Sequence, residues 1–151
     1  MFKHILIPTD GSKLANESAQ AAVRLAASLG AKVTGFFAAP PATPIIYKSM
    51  LPVGYTTPTE HEEMIRKAAQ SYLGAVEKAA KAAGVPCETM TVTSDYPAEA
   101  ILAAAKKRRC DLIFMASHGR RGLRQASMLG SQTQKVLAQG TVPVLVYRKA
   151  R

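Results

Sequence analysis

The amino-acid sequence predicts an α/β fold, a three-layer sandwich of helices around a five-stranded parallel sheet. Two observations carry this. Five short apolar runs alternate with four stretches of helical periodicity along the 151 residues. The first run is apolar at consecutive positions, as in a strand covered on both faces, which is the habit of parallel sheets. The length suits a single domain, residues 1–151, with no internal repeat.

Taken in order, HILIPT at 4–9 is a β-branched run closed by proline and the turn-forming DGS, and is read as the first strand. Residues 12–29 follow with Ala15, Ala19, Ala22, Val23, Ala26 and Leu29 at helical spacing, and Gly30 stands where a helix stops. AKVTGFFAA, 31–39, is the second strand. Residues 40–58 hold five prolines and form no continuous helix, so they are expected to make a surface excursion that serves as a lid or partner surface. Thr59 and Glu62 match a T-x-x-E capping box for a helix running to Gly84, with Met64, Ala68, Tyr72, Val76 and Ala79 facing inward. PCETMTVTS, 86–94, is the third strand. Pro97 opens a third helix, with Ala98, Ile101, Leu102 and Ala105 toward the core, ending in KKRR where cations suit the dipole. DLIFMAS (111–117), a short helix at 131–139 and VPVLVYR (142–148) complete the alternation.

The formal net charge of +10 favours anionic partners without deciding the fold. Cys87 and Cys110, the two cysteines, show no C-x-x-C spacing and read as reduced core thiols. The amino-terminal apolar run is too short for a signal peptide, and no stretch approaches the roughly 20 apolar residues of a membrane span. A cytoplasmic protein without membrane contact is expected.

Ligands of open parallel sheets sit beyond the strands' carboxyl ends. Two such segments here are unusually polar: PTDGS after strand one and ASHGRRG after strand four. In the second, Gly119 and Gly122 let backbone N–H groups approach an anion, Ser131 and Gln134 match an S-x-x-Q capping box at a helix start, and Arg120, Arg121 and Arg124 add positive charge. Two readings stand, a phosphate cradle and a solvated basic loop. Asp10 suits ribose hydroxyls or a phosphate-bound metal, and competes with a plain reading as the cap of helix one. His118 is a structural hydrogen-bonder before it is a base, and His4 and His61 read as structural. The P-loop and the G-x-G-x-x-G fingerprint are both missing, as are paired carboxylates and a nucleophile with its base, which counts against a dedicated enzyme.

HILIPTDGS at the start, MASHGRRG followed by LGS, and the closing VPVLVYR resemble the universal stress protein family over essentially the whole chain. The resemblance implies an adenine nucleotide alpha hydrolase-like fold with strand order 3-2-1-4-5, and a homodimer in which strand 143–147 pairs antiparallel with its copy. One branch binds ATP through glycine, two residues, glycine, nine residues, then glycine with serine or threonine. Gly119 matches the second glycine and Gly130–Ser131 the last pair. Ala116 replaces the first glycine, and ten residues separate Gly119 from Gly130. The extra residue costs little loop entropy but can shift the phosphate-facing N–H groups.

By that resemblance, Pro8, Thr9 and Asp10 line the nucleoside side and Ala38 offers backbone to adenine. Met115, Ala116, Ser117, His118 and Gly119 contact ribose and phosphate, and Gly130, Ser131, Gln132 and Thr133 hold the phosphates. The expectation is an ATP-binding regulatory module of the stress response, with Mg²⁺, an unidentified protein partner and at most slow hydrolysis. The alternative is a nucleotide-free dimeric module whose basic loop meets an acidic partner. Nucleic-acid binding rests on charge alone and is set aside, since no aromatic residues interleave the arginines. An ATP-using enzyme needs a second substrate pocket for which the sequence offers no candidate.

Overall fold

The computed structural model describes residues 1–42, 57–119 and 129–149. Its elements are β1 (His4–Pro8), α1 (Lys13–Leu29), β2 (Lys32–Ala39), α2 (Pro58–Ala83), β3 (Cys87–Thr93), α3 (Pro97–Lys107), β4 (Leu112–Ala116), α4 (Ser131–Gln139) and β5 (Val144–Tyr147). The sheet is wholly parallel in the order β3-β2-β1-β4-β5, as expected.

The pleat of β1 divides the core between the two faces. Ile5 and Ile7 point to one face and pack with Ala19, Ala22 and Val23 of α1 and Val76 and Ala80 of α2. Leu6 points the other way, with Phe36, Ile113 and Met115, against Ala98, Ile101 and Ala105 of α3 and Val136 of α4. Each β1 residue from His4 to Ile7 is buried, which is why its sequence shows no polar alternation.

Three local expectations are corrected. Thr57, not Thr59, caps α2: its side chain accepts from the Glu60 N–H at 3.1 Å and Glu60 Oε2 accepts from the Thr57 N–H at 3.0 Å. Both threonines stand three residues before a glutamate, and Pro58 decides between them, because its fixed φ and missing N–H suit the first helical position. Met64 is 55% exposed, because burial in α2 is concentrated at Leu73, Val76 and Ala80, the turns that lie on the sheet. Leu29 is exposed at the end of α1. In α3, Ala98, Ile101 and Ala105 are buried as expected, joined by Ala104, and half-buried Leu102 packs against the same cluster.

His4 is buried, with Nε2 2.6 Å from Thr34 Oγ1. Burial, and then the charge of Lys32, hold its pKa below the ordinary 6.5. The sign follows from linkage: below 6.5 the unfolded chain binds a proton that the folded ring refuses, so stability falls as pH drops from there to the lower folded pKa. Urea midpoints taken on either side of that value are expected to show the fall, and His4→Gln to flatten it. An equal slope in the variant would assign it elsewhere.

Candidate functional site

The connection after β1 is a series of short local bonds. The Thr9 N–H donates to the Phe36 carbonyl at 2.8 Å, tying the loop to β2. The Gly11 N–H donates to Thr9 Oγ1 at 3.2 Å, and the Ser12 N–H to Asp10 Oδ1 at 3.0 Å. Ser12 caps α1, its hydroxyl accepting from the Ala15 N–H at 3.2 Å. Asp10 is therefore not the helix cap; it braces the turn before it.

The connection after β4 is stitched to the start of α4. The Ser117 N–H donates to the Tyr147 carbonyl at 2.8 Å, and the Ser117 carbonyl accepts from the Gly130 N–H at 2.7 Å. Thr133 Oγ1 donates to the Ala116 carbonyl at 3.0 Å. A Cβ on Gly119 would overlap Asp10 Oδ2, so the two strand-end segments touch there.

The S-x-x-Q capping box is not formed. Gly130 is the N-cap and Ser131 the first helical residue, while Gln134 Nε2 donates back to the Leu129 carbonyl at 2.7 Å. A glycine cap has no side-chain oxygen to satisfy the first N–H groups of α4, and those groups have no partner within a helix. Gln132 serves a neighbour: its Oε1 accepts from the Ala98 N–H at 3.1 Å, in place of the side-chain cap that α3 lacks.

These segments enclose a cavity of about 540 Å³, within the range of small-molecule sites. Of the residues singled out from sequence, Pro8, Thr9, Asp10, Ala38, Met115, Ala116, His118, Gly119, Gly130, Ser131, Gln132 and Thr133 line it. Ser117 does not; its backbone is spent on the two bonds just given. Arg120 and Gly122 lie outside the described residues, as do Arg121, Arg124 and most of the proline-rich segment. Sequence reasoning missed Ser94, Asp95 and Pro97 after β3, and Phe36, Pro40, Ala15 and Ile101. SDYP follows a strand as PTDGS does, and the same carboxyl-end rule would have found it.

The cysteines lie outside the cavity. Burial, aided by Asp111, pushes the Cys110 thiol up to about 11, and burial raises Cys87 as well, so neither is poised as a thiolate. Among the described residues no three His, Cys, Asp or Glu groups gather at metal-ligand distance. No helix described is long and apolar enough to cross a membrane.

A parallel sheet whose order reverses at β1, with a hollow beyond the ends of β1, β2 and β4, defines a doubly wound α/β protein with a crevice at its switch point. The sequence profile of the Universal stress protein family matches residues 1–148, and the chain belongs to that family. Universal stress protein MJ0531 of Methanocaldococcus jannaschii is 31% identical over 154 residues, covering 100% of this chain and 85% of that protein. A universal stress protein of Thermus aquaticus is 34% identical over 148 residues, covering 98% and 100%. Among solved structures, protein MJ0577 superposes with a TM-score of 0.81 at 23% identity over 100% of this chain and 99% of that one. A universal stress protein in complex with cAMP gives 0.69 at 20% identity, over 99% of each chain. The Archaeoglobus fulgidus protein in complex with dAMP gives 0.64 at 16%, over 97% of each.

Proposed function

We propose that the cavity binds ATP, accompanied by Mg²⁺ at its phosphates, and that the protein is a nucleotide-dependent regulatory module. The observation that carries the reading is the start of α4. It faces the cavity with a glycine cap, so its first N–H groups and the positive end of its dipole are available to a phosphate. Gly119 and Gly130 keep the backbone bare on both sides. A Cβ at Gly130 would come within 3.0 Å of the His118 backbone, which fixes how closely α4 approaches β4. The apolar side near Phe36, Ala38 and Ile101 suits a base, and the Asp10 end suits ribose. Two similar folds hold adenine mononucleotides, cAMP and dAMP, which supports the same ligand class here. We further infer self-pairing through β5, which among the described residues has a strand neighbour on one side only and leaves Leu145 38% exposed.

Calorimetric titration with ATP and Mg²⁺ tests the reading. Micromolar binding is expected for the parent, weakened at least tenfold in Gly130→Val, about 1.4 kcal/mol or more. Circular dichroism of the variant establishes that it is folded. A folded parent that takes up no ATP would leave the nucleotide-free interaction module as the function.

A further inference from the structure

α1 and α2 each stop at a glycine in the left-handed conformation, Gly30 at φ 66° and Gly84 at φ 67°. The chain leaves α3 by the same pair of bonds. The Arg109 N–H donates to the Lys106 carbonyl at 3.2 Å and the Cys110 N–H to the Ala105 carbonyl at 2.8 Å, as Gly30 and Ala31 do to Ala27 and Ala26. Here the left-handed residue is Arg109, at φ 55°, the one non-glycine with positive φ among the described residues. Glycine takes this conformation without strain and an arginine does not. The helix dipole does not require the charge, because Lys106 and Lys107 already supply cations to the last turn. Strain kept in place of an available glycine points to a use for the side chain.

That side chain belongs to a larger patch. β4 starts beside β1, and β1 beside β2, so the residues entering these strands meet along one rim. The Lys32 N–H donates to the Lys3 carbonyl at 3.0 Å, and the Lys3 N–H to Asp111 Oδ2 at 2.9 Å. Lys3, Lys32, Lys106, Lys107, Arg108 and Arg109 are all exposed there. The acids among them are engaged. Asp111 accepts the N–H groups of Lys3 and His4, and Glu88 lies 3.5 Å from Arg108. The rim sits at the amino ends of the strands, the opposite end of the sheet from the cavity.

We propose that this rim is a docking surface for an acidic segment of a partner protein, completed by the strained Arg109. From β2 to β4 it spans two strand spacings, about 10 Å, wide enough to seat one extended acidic chain. The carboxylate of Glu88 already sits on Arg108, so the rim's chemistry accepts carboxylates. Phe2, the ring beside Lys3, is partly buried against the core rather than standing free as a stacking platform for a nucleic-acid base. The surface is independent of the cavity, and both can be occupied at once.

The test uses the whole chain and a fluorescent peptide of about ten residues alternating glutamate and serine, with duplex DNA of matched charge beside it, read by anisotropy at low salt. Arg109→Gly is expected to raise Tm by about 2–4 °C while weakening the peptide about 3-fold. Lys106→Ser/Lys107→Ser should weaken it about 10-fold, and Arg24→Ser/Lys67→Ser, which removes two exposed cations elsewhere, should change it less than 2-fold. Equal losses in the two double variants would reduce the effect to net charge and overturn the proposal. So would a parent that ignores the peptide, or one that prefers the duplex with the same variants weakening it. An Arg109→Gly protein that is more stable and binds as well as the parent would remove Arg109 from the surface.

Discussion

Gly11→Ala is expected to lower the unfolding free energy by about 2–5 kcal/mol, measured by urea denaturation. Gly11 has φ 76°, a left-handed geometry that a side chain resists. A Cβ there would also fall inside the Tyr72 ring of α2. That ring cannot simply swing away, because its edge contact with Phe37, at a centroid distance of 5.1 Å, helps seat α2 on β2. The two costs can be separated. Tyr72→Leu in the Gly11→Ala background should recover the steric part and leave the conformational part, giving a coupling in the double-mutant cycle. A loss under about 0.5 kcal/mol, the scatter of ordinary surface changes, would mean the turn after β1 adapts freely.

Phe36→Ala is expected to cost about 3–5 kcal/mol. Phe36 is 1% exposed, and it packs under Ala98 and Ile101 on the α3 side of the sheet. The same residue forms part of the cavity floor, and its carbonyl holds Thr9. Truncation therefore enlarges the hollow from below as well as loosening the core. Under the ATP reading the surviving folded fraction should bind nucleotide less tightly, while Ile7→Val on the opposite face, at about 0.5–1.5 kcal/mol, should leave affinity unchanged. If Phe36→Ala proved as mild as Ile7→Val, the packing around β2 would have to be looser than the structure shows.

Much of the architecture is legible in the sequence because each strand is bracketed by its own punctuation. The apolar run of β1 stops at Pro8, and α1 stops at Gly30, whose left-handed φ serves as its sequence position suggests. Legibility fails where two local signals compete. TTPTEHEE contains two overlapping capping boxes, and only the preference of Pro58 for the first helical position separates them. At α4, Ser131 and Gln134 have the spacing of a box, but the bond from the Gly130 N–H to the Ser117 carbonyl holds Gly130 in the cap position. That is a tertiary contact, invisible along the chain. The cavity shows the same division. Glycines and charges after β1 and β4 announce those walls, and SDYP after β3 obeys the same carboxyl-end rule, whereas Phe36 and Ala15 reach the cavity from within a strand and a helix and carry no such signal.

Placing β1 at the centre of the sheet has a consequence for how the protein is made. Its register with β2, from His4↔Lys32 to Pro8↔Phe36, can form early in synthesis. Its other edge, at Ile5 and Leu6, must wait for Leu112 and Ile113. At ribosomal speed that interval is on the order of ten seconds. For that time a strand built around Ile5, Leu6 and Ile7 has an unsatisfied ladder, a liability for any nascent chain. The molecule is thus most exposed to mispairing while half made, before the last wall of its cavity has left the ribosome.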